Sequence, residues 1–356
     1  MKAILRTIPV ILLGLAVGCG ELPTDAPAAD AALLAKGGNK PPKDPPGGGD
    51  GSVADPAIAF VHDGTLRVMN ADGSMNTALV DGVSRGVSWS PSATRIAFAP
   101  GGSGSTNTIM IADLALANGV PIVTGTTDLV LPHPGTPAWS PLGDLIAYAG
   151  GCDPGEPDGT CGEWGYLNHL RVVPAAGGEA HTLYEAPGCA DPWACLISGT
   201  PAWSPDGSQI AFVEGRGEWW SVHALRVMDV ASAPTQVSQT LIAPGQLASI
   251  CDPDWSPDGS RIAFWGHEAS TSPTTLFVLD LATGTWMNVG VEAATHCADV
   301  SWSPDGTQWV VDTGDAVRLV DVASGQVIPR SKSKLARGVS PDWRSCEAGE
   351  GCGLAP

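Results

Sequence analysis

The sequence predicts an all-β fold, a six-bladed β-propeller built from four-stranded antiparallel blades. A tryptophan recurs six times in one short setting, and five of the six open the string Trp-Ser-Pro. A short apolar run begins seven residues after each of the first five, although the repeat spacing varies from 41 to 64 residues. A constant core with loops of variable length indicates a structural repeat. The six tryptophans are Trp89, Trp139, Trp203, Trp255, Trp302 and Trp343.

Each repeat supplies the elements of one blade in order. The strand that ends at the tryptophan is followed by Ser-Pro-Asp-Gly. The motif is complete at Trp203–Gly207, Trp255–Gly259 and Trp302–Gly306 and degenerate at Ala93 and Leu142. Pro, Asp and Gly in this order predict a tight hairpin turn. An Ile-Ala-Phe type strand follows the turn, then a third run such as Leu276–Asp280 and a weaker fourth such as Trp286–Val289. Four short strands per repeat are typical of a propeller blade.

The two ends of the repeat region carry complementary fragments. Ile58-Ala59-Phe60 and Leu66–Gly73 are interpreted as the second, third and fourth strands of a blade without its tryptophan strand. Val339–Trp343 is interpreted as that missing strand. Joining them gives a sixth blade and closes the ring, which removes exposed sheet edges. We therefore expect the propeller to span residues 56–345.

These repeats resemble the WD40-like (PD40) repeats of the TolB type, found in the C-terminal propeller of TolB and in related bacterial propellers. The resemblance covers roughly residues 56–345 and implies the propeller fold. It is less informative about function, because propellers host unrelated functions. Some propellers with such repeats are polysaccharide lyases that hold a divalent metal with channel histidines.

The N-terminus predicts export. Lys2 and Arg6 precede the apolar stretch Ile8–Val17, which is too short to span a bilayer, so residues 1–18 are interpreted as a signal peptide. Leu15–Cys19 resembles a bacterial lipobox, and Cys19 is the expected lipidation site. The alternative is an ordinary secreted protein with an unmodified cysteine. We expect an envelope protein on the outer membrane, facing the periplasm or the cell surface, if the host is Gram-negative.

Residues 19–55 are rich in proline and glycine and are interpreted as a tether between the lipid and the propeller. Eight cysteines remain after Cys19, an even number that favours disulfides. Sequence proximity predicts three short-loop bridges, and the positions before two tryptophans predict a fourth bridge between neighbouring blades. A zinc site involving His296 is the alternative at the fourth pair. The expected pairs are Cys152 with Cys161, Cys189 with Cys195, Cys346 with Cys352 in the tail 346–356, and Cys251 with Cys297.

Charge restricts the partners. Eighteen basic and 37 acidic residues give a net charge of −19, which repels phosphate backbones, so we expect no nucleic-acid partner. The aspartates of the turns lack the Asp-x-Asp-x-Asp-Gly spacing of a calcium loop, and no cofactor is expected. Membrane contact is expected through the N-terminal lipid only, and the domain is expected to be monomeric.

Two sets of residues are candidates for binding. Residues just before each tryptophan strand gather at one mouth of a propeller channel, while tryptophans in long inter-strand segments sit beside cysteine-braced loops. The repeat tryptophans themselves, with Trp265 and Trp309, are expected to pack in the core. The channel candidates are His133, Asp252, Asp254, His296, Asp299 and Asp342, with Arg85 and Arg337 at comparable offsets, and the loop candidates are Trp164, Trp193, Trp219 and Trp220.

We expect a non-catalytic, lipid-anchored module that binds an envelope protein or peptide at the channel mouth and nearby loops. One alternative is a polysaccharide lyase or hydrolase with its site, and a divalent metal, in the channel. A second alternative is a glycan-binding protein without turnover, because indole faces stack on sugars. An inert structural role in the envelope is the third.

Overall fold

The computed structural model describes residues 57–101, 107–151, 168–186, 195–216, 222–232, 238–295, 297–328 and 338–344. In these residues the regular structure is β throughout, apart from one 3-10 turn at Val230–Ser232. No helix in this part of the chain is long and apolar enough to cross a membrane. The all-β prediction is confirmed.

In the described part of the chain, twenty-three strands form six sheets. We name these sheets blades A to F, in the chain order of their second strands. Blade A contains β1 (Ile58–His62), β2 (Thr65–Met69), β3 (Thr77–Asp81) and β23 (Val339–Trp343); blade B contains β4 (Val83–Trp89), β5 (Arg95–Pro100), β6 (Thr108–Ala117) and β7 (Val120–Val130); blade C contains β8 (Pro134–Trp139), β9 (Leu145–Gly150), β10 (His169–Pro174) and β11 (His181–Glu185). Blade D contains β12 (Cys195–Trp203), β13 (Gln209–Arg216), β14 (Val222–Asp229) and β15 (Ser238–Ile242); blade E contains β16 (Ser249–Trp255), β17 (Arg261–His267), β18 (Thr274–Asp280) and β19 (Thr285–Ala293); blade F contains β20 (Val300–Trp302), β21 (Gln308–Asp312) and β22 (Val317–Asp321).

Blade A closes the ring as the sequence predicts. Its strand order is β23-β1-β2-β3, so the last strand of the chain pairs antiparallel with the first. Trp343 lies opposite Ile58, and the Arg344 backbone N–H donates to the Ala57 carbonyl at 2.8 Å. The ends of the repeat region therefore make one blade, and the fold is a six-bladed propeller.

Two details differ from the expectation. The fourth strand of blade A is Thr77–Asp81, whereas the segment after Met69 makes a turn in which the Gly73 N–H donates to the Asn70 carbonyl at 2.9 Å. Blade F has three strands among the described residues, and an isolated bridge joins Val320 to Val327 where a fourth strand would begin.

Apolar side chains between blades hold the ring together. Each core cluster combines residues of adjacent blades; one of them, for example, packs Tyr184 of blade C with Phe212 and Trp203 of blade D. The six repeat tryptophans are at most 9% exposed, and Trp265 and Trp309 are fully buried. The prediction that these tryptophans belong to the core is confirmed, so none of the eight offers an open indole face for sugar stacking.

The Ser-Pro-Asp-Gly turns form as predicted. The Asp206 carboxylate accepts from the Ser204 hydroxyl at 2.6 Å and from the Ser208 N–H at 3.0 Å. These bonds to the charged form lower the pKa of Asp206 to about 2. Asp258 and Asp305 make the same bonds in their own repeats. The turn aspartates are therefore structural.

Candidate functional site: the central channel

The tryptophan-bearing strands of all six blades surround one cavity of about 380 Å³. Its wall consists of the Trp-Ser-Pro segments and the residues just before each tryptophan. The turn prolines line it as well: Pro91, Pro141, Pro205, Pro257 and Pro304. The repeat motif thus places the same sequence positions of every blade around one axis.

The residue directly before each tryptophan forms a first belt around the channel. Where it is Ser or Asp, its side chain accepts a hydrogen bond from the backbone N–H of the next blade's tryptophan. The contacts are Ser88 Oγ with Trp139 N at 2.9 Å, Asp254 Oδ2 with Trp302 N at 2.9 Å, Ser301 Oγ with Trp343 N at 3.1 Å, and Asp342 Oδ2 with Trp89 N at 2.7 Å. Ala138 and Ala202 occupy this position in blades C and D and offer no side-chain acceptor.

The residue three positions before each tryptophan forms a second belt. Thr136 and Thr200 share a hydroxyl hydrogen bond of 2.8 Å, and the Thr200 N–H donates to Asp252 Oδ1 at 2.7 Å. Asp299 follows on blade F and is hydrogen-bonded to the Ser340 hydroxyl on blade A. These bonds connect neighbouring blades at the mouth where the sequence placed the candidate residues.

The two belts give the channel an acidic side and a neutral side. Blades E, F and A contribute Asp252, Asp254, Asp299 and Asp342. At the same positions blades B, C and D contribute only small neutral residues, which are Gly86, Ser88, Thr136, Ala138, Thr200 and Ala202. The structure therefore brings together the four aspartates that the sequence singled out.

Burial in the channel perturbs these carboxyl groups. It raises the pKa of Asp254 to about 8, aided by the Asp342 carboxylate and opposed by the hydrogen bond from Trp302 N. It raises the pKa of Asp342 to about 7, against the hydrogen bonds from Trp89 N and Ser301. Near neutral pH these groups are therefore poised between the protonated and the charged form.

Asp252 and Asp299 form a closely interacting pair. Burial raises the pKa of both carboxyl groups, and the charge of Asp299 raises that of Asp252 further. The Arg85 guanidinium on blade B opposes both shifts, so it acts on the pair from across the ring. Burial and the Asp299 charge also raise the pKa of Asp312 on β21 to about 6.

Irregular backbone shapes this mouth. Asp252 and Ser340 adopt positive φ angles of 43° and 51°, a conformation that costs an L residue free energy. The β16–β17 register shifts between Cys251 and Asp254, at the same place. The bulge directs Asp252 toward Thr200 on blade D, where no room remains for a side chain on Gly199.

The disulfide predicted between neighbouring blades is present. Cys251 on β16 is bonded to Cys297, just before β20, with a Cα–Cα distance of 5.6 Å. The bridge lies next to Asp252 and two residues before Asp299. The two sulfurs and an Asp252 carboxylate oxygen lie within 4.8 Å of one another. Because the sulfurs are bonded to each other, they are not thiolate ligands, and this arrangement gives no support to the zinc alternative.

His133 lies apart from the aspartates. It is in the loop before β8 with a φ of 38°, its Nδ1 is buried without a hydrogen-bond partner, and it does not line the cavity. Its offset from Trp139 therefore did not place it in the channel. Cys195 lies at the start of β12, but its expected partner Cys189 lies outside the described residues. The other remaining candidates also lie outside the described residues; they are Cys19, Cys152, Cys161, Trp164, Trp193, Trp219, Trp220, His296, Arg337, Cys346 and Cys352.

One catalytic motif is present in the sequence and lacks its structural context. Gly82-Val83-Ser84-Arg85-Gly86 has the Gly-x-Ser-x-Gly spacing of a hydrolase nucleophile. That chemistry needs the serine at a sharp turn between a strand and a helix. Ser84 instead lies within β4, which leads into β5, and its hydroxyl donates to the Ala99 carbonyl at 3.2 Å. The strand position gives Ser84 a structural role.

The sequence did not single out Ser88, Thr136, Thr200, Ser301 and Ser340, which complete the belts. Their offsets from the tryptophans were a usable signal, because they match those of the four aspartates. Asp312 had no such signal, since it lies at the end of β21, where its backbone N–H donates to the Asp299 carbonyl at 2.9 Å.

No family model and no curated protein matches the chain. Among solved structures it is similar to TolB from Acinetobacter baumannii, with a TM-score of 0.56 and 18% identity over 83% of this chain and 68% of that one. A putative TolB from Agrobacterium tumefaciens gives a TM-score of 0.51 and 19% identity, covering 82% and 92% of the two chains. A nidogen/laminin complex gives a TM-score of 0.55 and 13% identity, covering 81% of this chain and 98% of that one. At these identities the likeness establishes the β-propeller fold alone.

Proposed function

We propose that the protein is a non-catalytic interaction module that binds a protein or peptide partner at the channel mouth carrying Asp252 and Asp299. The observation that supports this most is the two-sided channel, with carboxylates on blades E, F and A and small neutral residues opposite them. A closed ring with a preformed cavity is a rigid scaffold on which such a mouth can receive a segment of another protein. The TolB-like fold of the neighbours is consistent with an interaction role.

The charge of the mouth favours a basic partner segment. Burial and mutual repulsion raise the pKa values of the channel carboxyl groups, and a cationic group placed among them would oppose both effects by favouring the charged form. Arg85 is the one cation whose charge lowers the pKa of both Asp252 and Asp299 among the described residues. A lysine or arginine of the partner would add to it and displace protons on binding.

Location follows from the N-terminal segment. We propose that the signal peptide is removed, that Cys19 carries the lipid, and that residues 19–55 hold the propeller away from an envelope membrane. The inter-blade disulfide fits an oxidising compartment. A basic region of an envelope protein or peptide is then the accessible partner, and the domain acts as a monomer.

The test is capture of partners from envelope extract by the full chain and by a channel variant, Asp254→Asn with Asp299→Asn. The matched control is Asp258→Asn with Asp305→Asn, which removes two turn carboxylates outside the acidic side. We expect a partner retained by native and control proteins and lost by the channel variant, after each is shown to be folded. Retention by the channel variant contradicts the proposal. Failure to capture any partner, with a polysaccharide shifting the melting temperature or metal copurifying, would favour the glycan or lyase alternatives.

A further inference from the structure

The outer strand of blade B is longer than those of most other blades. β7 has eleven residues, whereas β3, β11 and β15 have five each. Among the described residues, β7 pairs with β6 on one side and ends the sheet on the other, so its outer side is an edge. An edge strand presents unpaired N–H and C=O groups at alternate residues, which can pair with another strand.

Exposed apolar side chains lie at both ends of β7, and the exposed residues 126–128 between them are polar. Among the described residues, three of the five exposed large hydrophobic residues lie on β7: Val120, Ile122 and Val130. Pro121 and a bulge opposite Asp113 interrupt the first part of the strand. From Gly125 to Val130 the register with β6 is regular, so this part can continue the sheet.

Charge distinguishes the candidate occupants of the edge. β6 and β7 contain no Lys or Arg, and their charged residues are Asp113 and Asp128. The lysines that commonly block edge pairing are therefore missing from this hairpin. A second copy would bring the same aspartates and its own net charge of −19, whereas a basic segment would be attracted.

We propose that the outer edge of β7, from Gly125 to Val130, binds an extended basic segment of a partner protein as a fifth antiparallel strand of blade B. Backbone hydrogen bonds supply affinity in this mode, and the side chains on either face supply selectivity. The edge lies outside the channel, so the inference stands independently of the function proposed for the channel mouth.

The probe is a nine-residue peptide of alternating lysine and valine, and its control has proline at the central position. Binding to the full chain is followed by fluorescence anisotropy, and the site by amide hydrogen exchange. Thr126→Lys places a positive charge at an exposed position of β7 and is expected to repel the probe. Thr126→Glu places a negative charge at the same position, and Gln239→Lys on the outer strand β15 is the matched control for an added lysine. All four proteins are checked by thermal unfolding.

We expect the native chain to bind the probe and to gain exchange protection on β7. Thr126→Lys is expected to weaken binding about tenfold, while Thr126→Glu and Gln239→Lys retain it. The proline peptide is expected to bind at least about tenfold more weakly, because it removes a backbone donor. Equal binding by Thr126→Lys or by the proline peptide would overturn the proposal, as would protection confined to the channel strands. A dimer lost in Thr126→Lys, without peptide binding, would assign the edge to a second copy.

Discussion

Gly86 is a position where the inner ring leaves no space for a side chain. It lies on β4 with a φ of +67°, and a Cβ there would stand 2.3 Å from Cγ2 and 2.5 Å from Cβ of Thr136 on blade C. Gly82 offers a matched control, because its φ is +76° and nothing lies within 4 Å of its Cβ position. Both glycine-to-alanine changes share the backbone cost, and only Gly86→Ala adds the collision.

The expected magnitudes follow from these distances. Positive φ costs an L residue about 1–2 kcal/mol, and alanine regains about 0.4–1 kcal/mol by restricting the unfolded chain, so Gly82→Ala should lower the free energy of unfolding by about 1 kcal/mol. Overpacking adds about 1–3 kcal/mol, so Gly86→Ala should lower it by about 2–4 kcal/mol.

Urea denaturation followed by circular dichroism measures both variants. Thr136→Ser in the Gly86→Ala background removes Cγ2 but retains the hydroxyl that bonds Thr200 at 2.8 Å, and it should recover part of the loss. Equal destabilisation by Gly82→Ala and Gly86→Ala would refute the close contact between blades B and C. Recovery with Thr136→Ser is expected to be partial, because serine retains the Cβ that lies 2.5 Å away.

Three further predictions concern charge and covalent bonding. The folded-state pKa values of Asp254 and Asp342 lie above the unfolded value of about 3.9, so folding takes up protons and stability should fall as pH rises from about 4 to about 8. Thermal unfolding across this range should show the decline, and Asp254→Asn with Asp342→Asn should make it shallower without removing it, because Asp252, Asp299 and Asp312 also have raised pKa values. An unchanged slope in this variant would contradict the assignment. Glu214 is 1% exposed and pairs with Arg216 and Arg226, so Glu214→Gln should lower the free energy of unfolding by about 3 kcal/mol in urea titrations. A loss below about 1 kcal/mol would show that these ion pairs are not needed for stability. Reduction of the Cys251–Cys297 bridge, which spans 46 positions, should lower the free energy of unfolding by up to about 4 kcal/mol on the chain-entropy model. The double variant Cys251→Ser with Cys297→Ser removes this bridge without affecting the other cysteines, and an unchanged melting temperature would contradict its role in joining blades E and F.

The repeat explains why so much of the fold is readable in the sequence. The turn after each tryptophan has a fixed chemistry, so the strands on both sides of it are located within a few residues. The closing strand β23 has the predicted bounds. The Cys251–Cys297 pair followed from the same regularity, because both cysteines precede a repeat tryptophan by similar offsets.

The sequence pattern locates the outer strands less well than the strands next to the repeat tryptophans. β3 has no fixed offset from a tryptophan and is half exposed, so its position depends on pairing with β2 rather than on its own pattern. His133 shows the limit of offset arguments at the mouth. Six residues before Trp139 the chain has left β8, and His133, with a positive φ of 38°, is not among the residues that line the cavity.

The acidic side of the channel mouth is the proposed binding site for the partner. Amide hydrogen exchange of the full chain, with and without the partner captured from envelope extract, tests this most directly. We expect increased protection on β16, β20 and β23 around Asp252, Asp299 and Asp342, and loss of that protection in Asp254→Asn with Asp299→Asn. Protection confined to other surfaces, or unchanged by the substitutions, would contradict it.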